Sequence, residues 1–113
     1  MTLRTVQEIL GAKVLTCETL LDTDILSACG SDLMSDVLAF VKDQALLLTG
    51  LVNPQVVRTA EMMDMKAIVF VRGKQPTEEV LSLAREMNMV ILSTEYPLYL
   101  ACGRLYAGGL YNQ

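Results

Sequence analysis

The sequence predicts a three-layer α/β/α domain built on a mostly parallel sheet of about five strands, and three observations predict it. Short runs rich in Val, Ile and Leu recur along the chain, as strands buried on both faces do. Stretches with helical period lie between most of them, and that alternation marks βαβ units. The length of 113 residues suits one domain with one core, so residues 1–113 are read as a single unit.

The elements follow in order. Thr5–Leu10 reads as a short opening helix and Ala12–Thr16 as the first strand. Cys17–Asp24 is short and polar, with Asp22 and Asp24 near its end. It fits a hairpin-like connection or an irregular turn, and so leaves the direction of the first strand open. Ile25–Cys29 is the second strand, followed by a helix from about Asp32 to Lys42 with Leu33, Val37, Leu38 and Val41 on one face. Ala45–Thr49 is the third strand. The helix after it runs from Pro54 to Asp64 and shows Val56, Val57, Ala60 and Met63 to the core. Ala67–Val71 and Val90–Leu92 are the last strands. The helix between them, Thr77 to Asn88, carries Val80, Leu81, Leu83, Ala84 and Met87 inward. A final helix from Tyr96 to Ala107 stops at Gly108-Gly109, where helix propensity falls.

Composition narrows the function. Hydrophobic residues make up 52% of the chain and mean hydropathy is +0.39. This excludes a disordered chain and predicts apolar surface that a partner covers. No apolar run approaches the roughly 18 residues of a membrane span, and the opening residues are polar rather than a signal peptide. A cytoplasmic location without membrane association is expected. The net charge of −4 and the absence of Trp argue against nucleic acid, which favours a basic face and stacking aromatics. Cys17, Cys29 and Cys102 form no CxxC pair and read as reduced thiols.

The chain has no histidine. A Ser-His-Asp or Cys-His pair is therefore impossible, and a zinc or iron–sulfur site lacks ligands. Asp32 and Asp36 are four apart on the expected helix and could hold Mg²⁺ beside a phosphate. The same spacing is ordinary at a solvated helix start. Neither GxGxxG nor GxxxxGK[ST] occurs. No catalytic residue, metal ligand or cofactor is assigned.

Ligands in parallel sheets collect at the carboxyl ends of the strands. Four such junctions can be read: Cys29-Gly30-Ser31-Asp32, Thr49-Gly50-Leu51-Val52-Asn53-Pro54, Arg72-Gly73-Lys74-Gln75-Pro76 and Ser93-Thr94-Glu95. Ser31, Asn53 and Thr94 are expected as helix N-caps, with Pro54 and Pro76 in first turns. Asp32, the pair Glu78 and Glu79, and Glu95 would each answer the dipole of their own helix. The helix opening at Asn53-Pro54 has no acid in its first turn and carries Arg58 one turn further in. Helix N-termini attract anions. An anionic ligand is therefore placed among Thr49, Gly50, Asn53 and Arg58 on one side and Arg72, Gly73 and Lys74 on the other, with Ser31 and Asp32 on the adjoining loop. Ordinary turn chemistry and solvated charge explain the same residues without a ligand.

Two features predict a homodimer. Met62, Met63 and Met65 cluster at a helix end, and Met suits adaptable interfaces. Tyr99 and Tyr106 share a face of the last helix with Gly103 between them, and Leu98, Cys102 and Leu105 line an adjacent stripe expected to face the sheet.

The stretches from Gly30-Ser31-Asp32-Leu33-Met34-Ser35-Asp36 to Ala39, Leu48-Thr49-Gly50, Asn53-Pro54-Gln55-Val56, Ala67 to Lys74, Leu92-Ser93-Thr94, and Ala101 to Tyr106 together resemble the stand-alone DRTGG-domain proteins. The resemblance implies a regulatory or ligand-sensing module, often in dimeric assemblies and without chemistry of its own. Such domains stand alone, beside CBS domains in regulated pyrophosphatases, and in some phosphotransacetylases. They are similar to the amino-terminal domain of HPr kinase/phosphorylase. Stand-alone members tend to be encoded near redox-enzyme components, so a larger redox or phosphotransfer enzyme is an implied partner. The pentapeptide that names the family is not spelled here. Any ligand read by that motif is put in doubt.

The sequence thus leads to a non-catalytic regulatory module that binds a small anionic metabolite or nucleotide, or docks on a partner enzyme. The alternatives are a purely structural assembly domain and, further off, a metal-dependent phosphoryl-transfer enzyme.

Overall fold

The computed structural model describes residues 1–40 and 44–111. The chain runs α1 (Leu3–Leu10), β1 (Lys13–Thr16), a 3₁₀ turn at Glu18–Leu20, β2 (Ser27–Gly30), α2 (Met34–Phe40), β3 (Ala45–Thr49), α3 (Pro54–Met62), β4 (Ala67–Phe70), α4 (Glu78–Glu86), β5 (Val90–Ser93) and α5 (Leu98–Ala107). The sheet order is β1-β5-β4-β3-β2. Four strands are parallel, and β1 pairs antiparallel with β5 at one edge.

The topology decides which helix covers which face. Strands β2 to β5 step across the sheet one position at a time. Right-handed crossovers taken in one direction put all their helices on the same side. Accordingly α2, α3 and α4 bury Val37, Val56, Val57, Ala60, Val80 and Ala84 against Leu47, Ile68, Phe70 and Ile91. The other face receives α1 and α5, whose Leu3, Val6, Leu10, Ala101 and Leu105 pack on Leu46, Leu48, Val69 and Leu92. Successive strand residues point to opposite faces. With helices on both sides, every residue of β3, β4 and β5 is buried.

Several expected boundaries shift, each for a local reason. Helix α2 starts at Met34, because the Ser31 hydroxyl bonds to Leu33, accepting from its N–H at 3.0 Å, instead of capping the helix. Its inward residues are Met34 and Val37, while Leu33 and Leu38 are exposed. Val41 and Lys42 lie outside the described residues. Thr77 caps α4 by accepting from the Val80 N–H, so Pro76 precedes the helix rather than entering its first turn. Helix α5 begins at Leu98 with Pro97 at the cap position. Thr94 is therefore no cap: its buried hydroxyl donates to the Leu10 carbonyl at 2.8 Å and ties β5 to α1. Asn53 does cap α3, accepting from Val56 N–H at 3.1 Å, with Pro54 in the first turn. Of the methionine cluster, Met65 is core and Met62 is exposed. No helix among the described residues is long and apolar enough to cross a membrane.

Candidate functional site

Helices α4 and α5 leave neighbouring strands β4 and β5 toward opposite faces of the sheet. In parallel sheets a crevice opens where the direction of crossover changes, outside the carboxyl ends of the strands. That point lies here between the loop after β4, which holds Arg72, Gly73 and Lys74, and the loop after β5, which holds Thr94 and Glu95.

The β4 loop is a tight turn. Lys74 N–H donates to the Val71 carbonyl at 3.3 Å, and Arg72 and Gly73 both have positive φ, 59° and 65°. Two left-handed central residues are what a type I′ turn requires, and Gly73 alone is free of a Cβ cost there. A Cβ on Gly73 would also run into the Glu95 carboxylate. The turn is pinned to the β5 loop by Arg72 N–H to the Tyr96 carbonyl at 2.9 Å and Gly73 N–H to the Thr94 carbonyl at 2.8 Å. The Ser93 hydroxyl bonds the Lys74 carbonyl at 3.3 Å.

Lys74 links this turn to the β3 loop. Its ammonium donates to the Gly50 carbonyl at 2.6 Å. On the other side of the same residue, the Gly50 N–H donates to Asp32 Oδ1 at 2.7 Å, and the Thr49 hydroxyl donates to the same oxygen at 3.0 Å. The Gly50 N–H, supported by the Thr49 hydroxyl and by the positive charges of Arg72 and Lys74, holds the Asp32 carboxyl below its usual range although partial burial opposes this. The loops after β2, β3 and β4 are thereby fastened in series through Asp32, Gly50 and Lys74.

This geometry corrects the expected electrostatics. Asp32 precedes α2 rather than sitting on it, and it answers the Gly50 N–H. It therefore shares no helix face with Asp36. No cluster of three or more His, Cys, Asp or Glu residues that could hold a metal occurs among the described residues. Glu95 lies outside the first turn of α5, and both α1 and α5 join α3 in having no acid there. The rim is consequently balanced, with Asp32 and Glu95 beside Arg72 and Lys74. From sequence, Glu95 falls at a post-strand junction but is assigned to the dipole of its own helix, not to the neighbourhood of Arg72–Lys74. The signal for it is topological, since the position of α5 on the far face brings the β5 loop to Gly73.

Of the residues expected to bind a ligand, Thr49, Gly50, Asp32 and Lys74 form one hydrogen-bonded network, with Gly73 and Arg72 joined to it through the turn. Among the described residues the Arg72 guanidinium makes no hydrogen bond or ion pair. Asn53 is spent on its cap. Ser31 adjoins the network with its hydroxyl turned to Leu33. Arg58 is exposed on α3 and takes no part in the network.

A concavity of about 250 Å³ lies away from this rim, between the β2 edge and the C-terminal half of α5, lined by residues that include Ala28, Gly30, Leu48, Tyr106 and Tyr111. The rings of Tyr106 and Tyr111 meet edge to face at 5.2 Å on its rim. The three cysteines are free. Burial pushes the Cys29 and Cys102 thiols up, with Asp36 adding to the first and Cys29 to the second. Both are poorer nucleophiles than a free thiol.

Among solved structures the chain is similar to the CBS and DRTGG domains of the regulatory region of Clostridium perfringens pyrophosphatase, complexed with the activator diadenosine tetraphosphate. The TM-score is 0.73 at 13% identity, over 92% of this chain and 45% of that one. The likeness is one of fold, and the chain spans less than half of that structure's length. No curated protein matches in sequence. The model of the DRTGG domain family matches residues 5–106, and the chain belongs to that family.

Proposed function

We propose that this domain is a non-catalytic regulatory module that senses a small anionic metabolite or nucleotide at the rim between Thr49–Asn53 and Arg72–Lys74, and that it docks on a larger redox or phosphotransfer enzyme. The observation that carries the reading is the unpaired Arg72 guanidinium at the point where crossover direction changes, on a turn locked to the loops on both sides. Its carrier residue has φ of 59°, a conformation that costs a non-glycine residue about 1 kcal/mol or more. A ligand there would bear on three loops at once. The pyrophosphatase regulatory region, 45% of which matches this chain in fold, is complexed with an activating nucleotide, which supports a regulatory role for such domains. The lack of histidine supports the absence of chemistry.

Thermal shift and calorimetry against nucleotides, phosphorylated metabolites and Mg²⁺ test the reading. A ligand at 100 times its dissociation constant adds about 2.7 kcal/mol of stability. Arg72→Ala is expected to weaken binding at least tenfold. No shift with any compound refutes ligand sensing, and an affinity unchanged by both Arg72→Ala and Arg58→Ala moves the site elsewhere.

A second reading is a homodimeric assembly domain without a small ligand. It is favoured by α5, where Tyr99 is 91% and Tyr106 58% exposed. From residue 96 onward the sequence holds no acidic side chain, so two copies of net charge −4 meet least repulsion there.

A further inference from the structure

The turn after β3 offers an N–H and a hydroxyl in the direction an anion would approach, and the chain's own carboxylate already takes both. Asp32 Oδ1 accepts from Gly50 N–H at 2.7 Å and from the Thr49 hydroxyl at 3.0 Å. The Thr49 oxygen is engaged further, accepting from Leu51 N–H at 3.1 Å. Asp32 is nonetheless exposed, and among the described residues no donor reaches its Oδ2. An ionised carboxylate is an acceptor only. The rim thus shows a ligand a fixed acceptor oxygen at Asp32 and an unpaired guanidinium at Arg72, with the Glu95 carboxylate beside Gly73.

We infer that Asp32 sets the ligand class of this rim: it takes compounds that join an anionic group to a hydroxyl donor, as nucleotides and sugar phosphates do, and rejects fully ionised inorganic anions that carry no proton, such as sulfate. The inference rests on the ligand-sensing reading above. The anionic group goes to Arg72, which can grip a phosphate with a planar pair of donors. The donor goes to Asp32 Oδ2. A sulfate at Gly50 N–H, with no proton to share, would have to displace Asp32 or lie against a like charge. Lys74 cannot relieve this by turning to the ligand without giving up the Gly50 carbonyl.

The test uses the full chain and four probes: sulfate, ribose 5-phosphate, AMP and 2′,3′-dideoxy-AMP. Each is titrated calorimetrically into the native protein, Asp32→Asn and Asp32→Ala. Native protein is expected to bind ribose 5-phosphate and AMP at least tenfold more tightly than sulfate or the dideoxy nucleotide. In Asp32→Ala that preference disappears and sulfate affinity rises, because Gly50 N–H and Thr49 are freed. In Asp32→Asn the side-chain oxygen can still accept from Gly50, but the outer atom becomes a donor, so sulfate gains and a ligand hydroxyl is left able only to accept there. The Asn variant separates ligand selection from mere loss of the tether. Equal affinity of native protein for sulfate and AMP overturns the inference, as does a hydroxyl preference that survives Asp32→Ala. If binding depends on Arg72 but is indifferent to Asp32, the site stands and this inference falls. If no probe binds any of the proteins, both fall.

Discussion

Replacing Thr16 by Val tests how the antiparallel edge strand is held to a sheet that is otherwise parallel. β1 pairs with β5 as Lys13↔Ser93 and Val14↔Leu92, then slips, so that Thr16 faces Ile91. A bulge of this kind leaves ladder groups without backbone partners. The Thr16 hydroxyl supplies them: it donates to the Met89 carbonyl at 2.7 Å and accepts from the Ile91 N–H at 2.9 Å, in a site where Thr16 is only 4% exposed. Valine has nearly the same shape and makes neither bond. It would leave a buried donor and a buried acceptor unpaired, each costing about 1–3 kcal/mol. The added methyl returns roughly 0.8 kcal/mol of burial. The net expectation is a loss of about 2–3 kcal/mol. At roughly 2.1 cal/mol/K of unfolding entropy per residue this lowers Tm by about 10 °C. Urea unfolding at constant slope, with a circular-dichroism melt beside it, measures the loss. Thr16→Ser keeps both bonds and should cost about 1 kcal/mol or less. If Val and Ser variants are equally stable, the hydroxyl does not hold the bulge and the account of the edge is wrong.

Two further predictions follow from the rim and from α5. The Gly50 N–H, before the Thr49 hydroxyl and the nearby cations, depresses the Asp32 carboxyl in the folded state. Its contribution to stability is therefore present above the unfolded value of about 3.9 and fades as pH falls through the lower folded value. The stability difference between native protein and Asp32→Asn should be flat above about pH 5 and shrink below about pH 4; a urea midpoint difference that grows on acidification contradicts this. Tyr99→Arg places a charge on a side chain that touches almost nothing in its own chain. Light scattering should show a dimer for native protein and a monomer for the variant, with unchanged far-ultraviolet dichroism, and a monomeric native protein removes the assembly reading.

How much of this was legible beforehand depends on whether the information is local. β3 was readable to the residue, since Ala45–Thr49 is apolar throughout and the buried centre of a parallel sheet asks for that. The cap at Asn53-Pro54 was readable too, because cap and first turn are a local matter. The direction of β1 was not. It turns on Cys17, held at φ 55° before the 3₁₀ turn, and on the bulge that Thr16 repairs across 73 and 75 residues of sequence. Nothing local marks either.

The rim divides the same way. Its residue types were visible, and so was the convergence of post-strand loops, because βαβ connections place β2 beside β3 and β3 beside β4. What misled was the assumption that an acid near a helix start serves that helix. Asp32 is two residues short of α2 and 18 residues from Gly50, and it serves the neighbouring loop. Parallel neighbours bring equivalent loops to within one strand spacing, roughly 4.8 Å, so a short acidic side chain on one can satisfy an N–H on the next as easily as on its own helix. The consequence is chemical. A rim that looked open to any anion already contains the carboxylates of Asp32 and Glu95, and what remains for a ligand is the guanidinium of Arg72 beside the outer oxygen of Asp32.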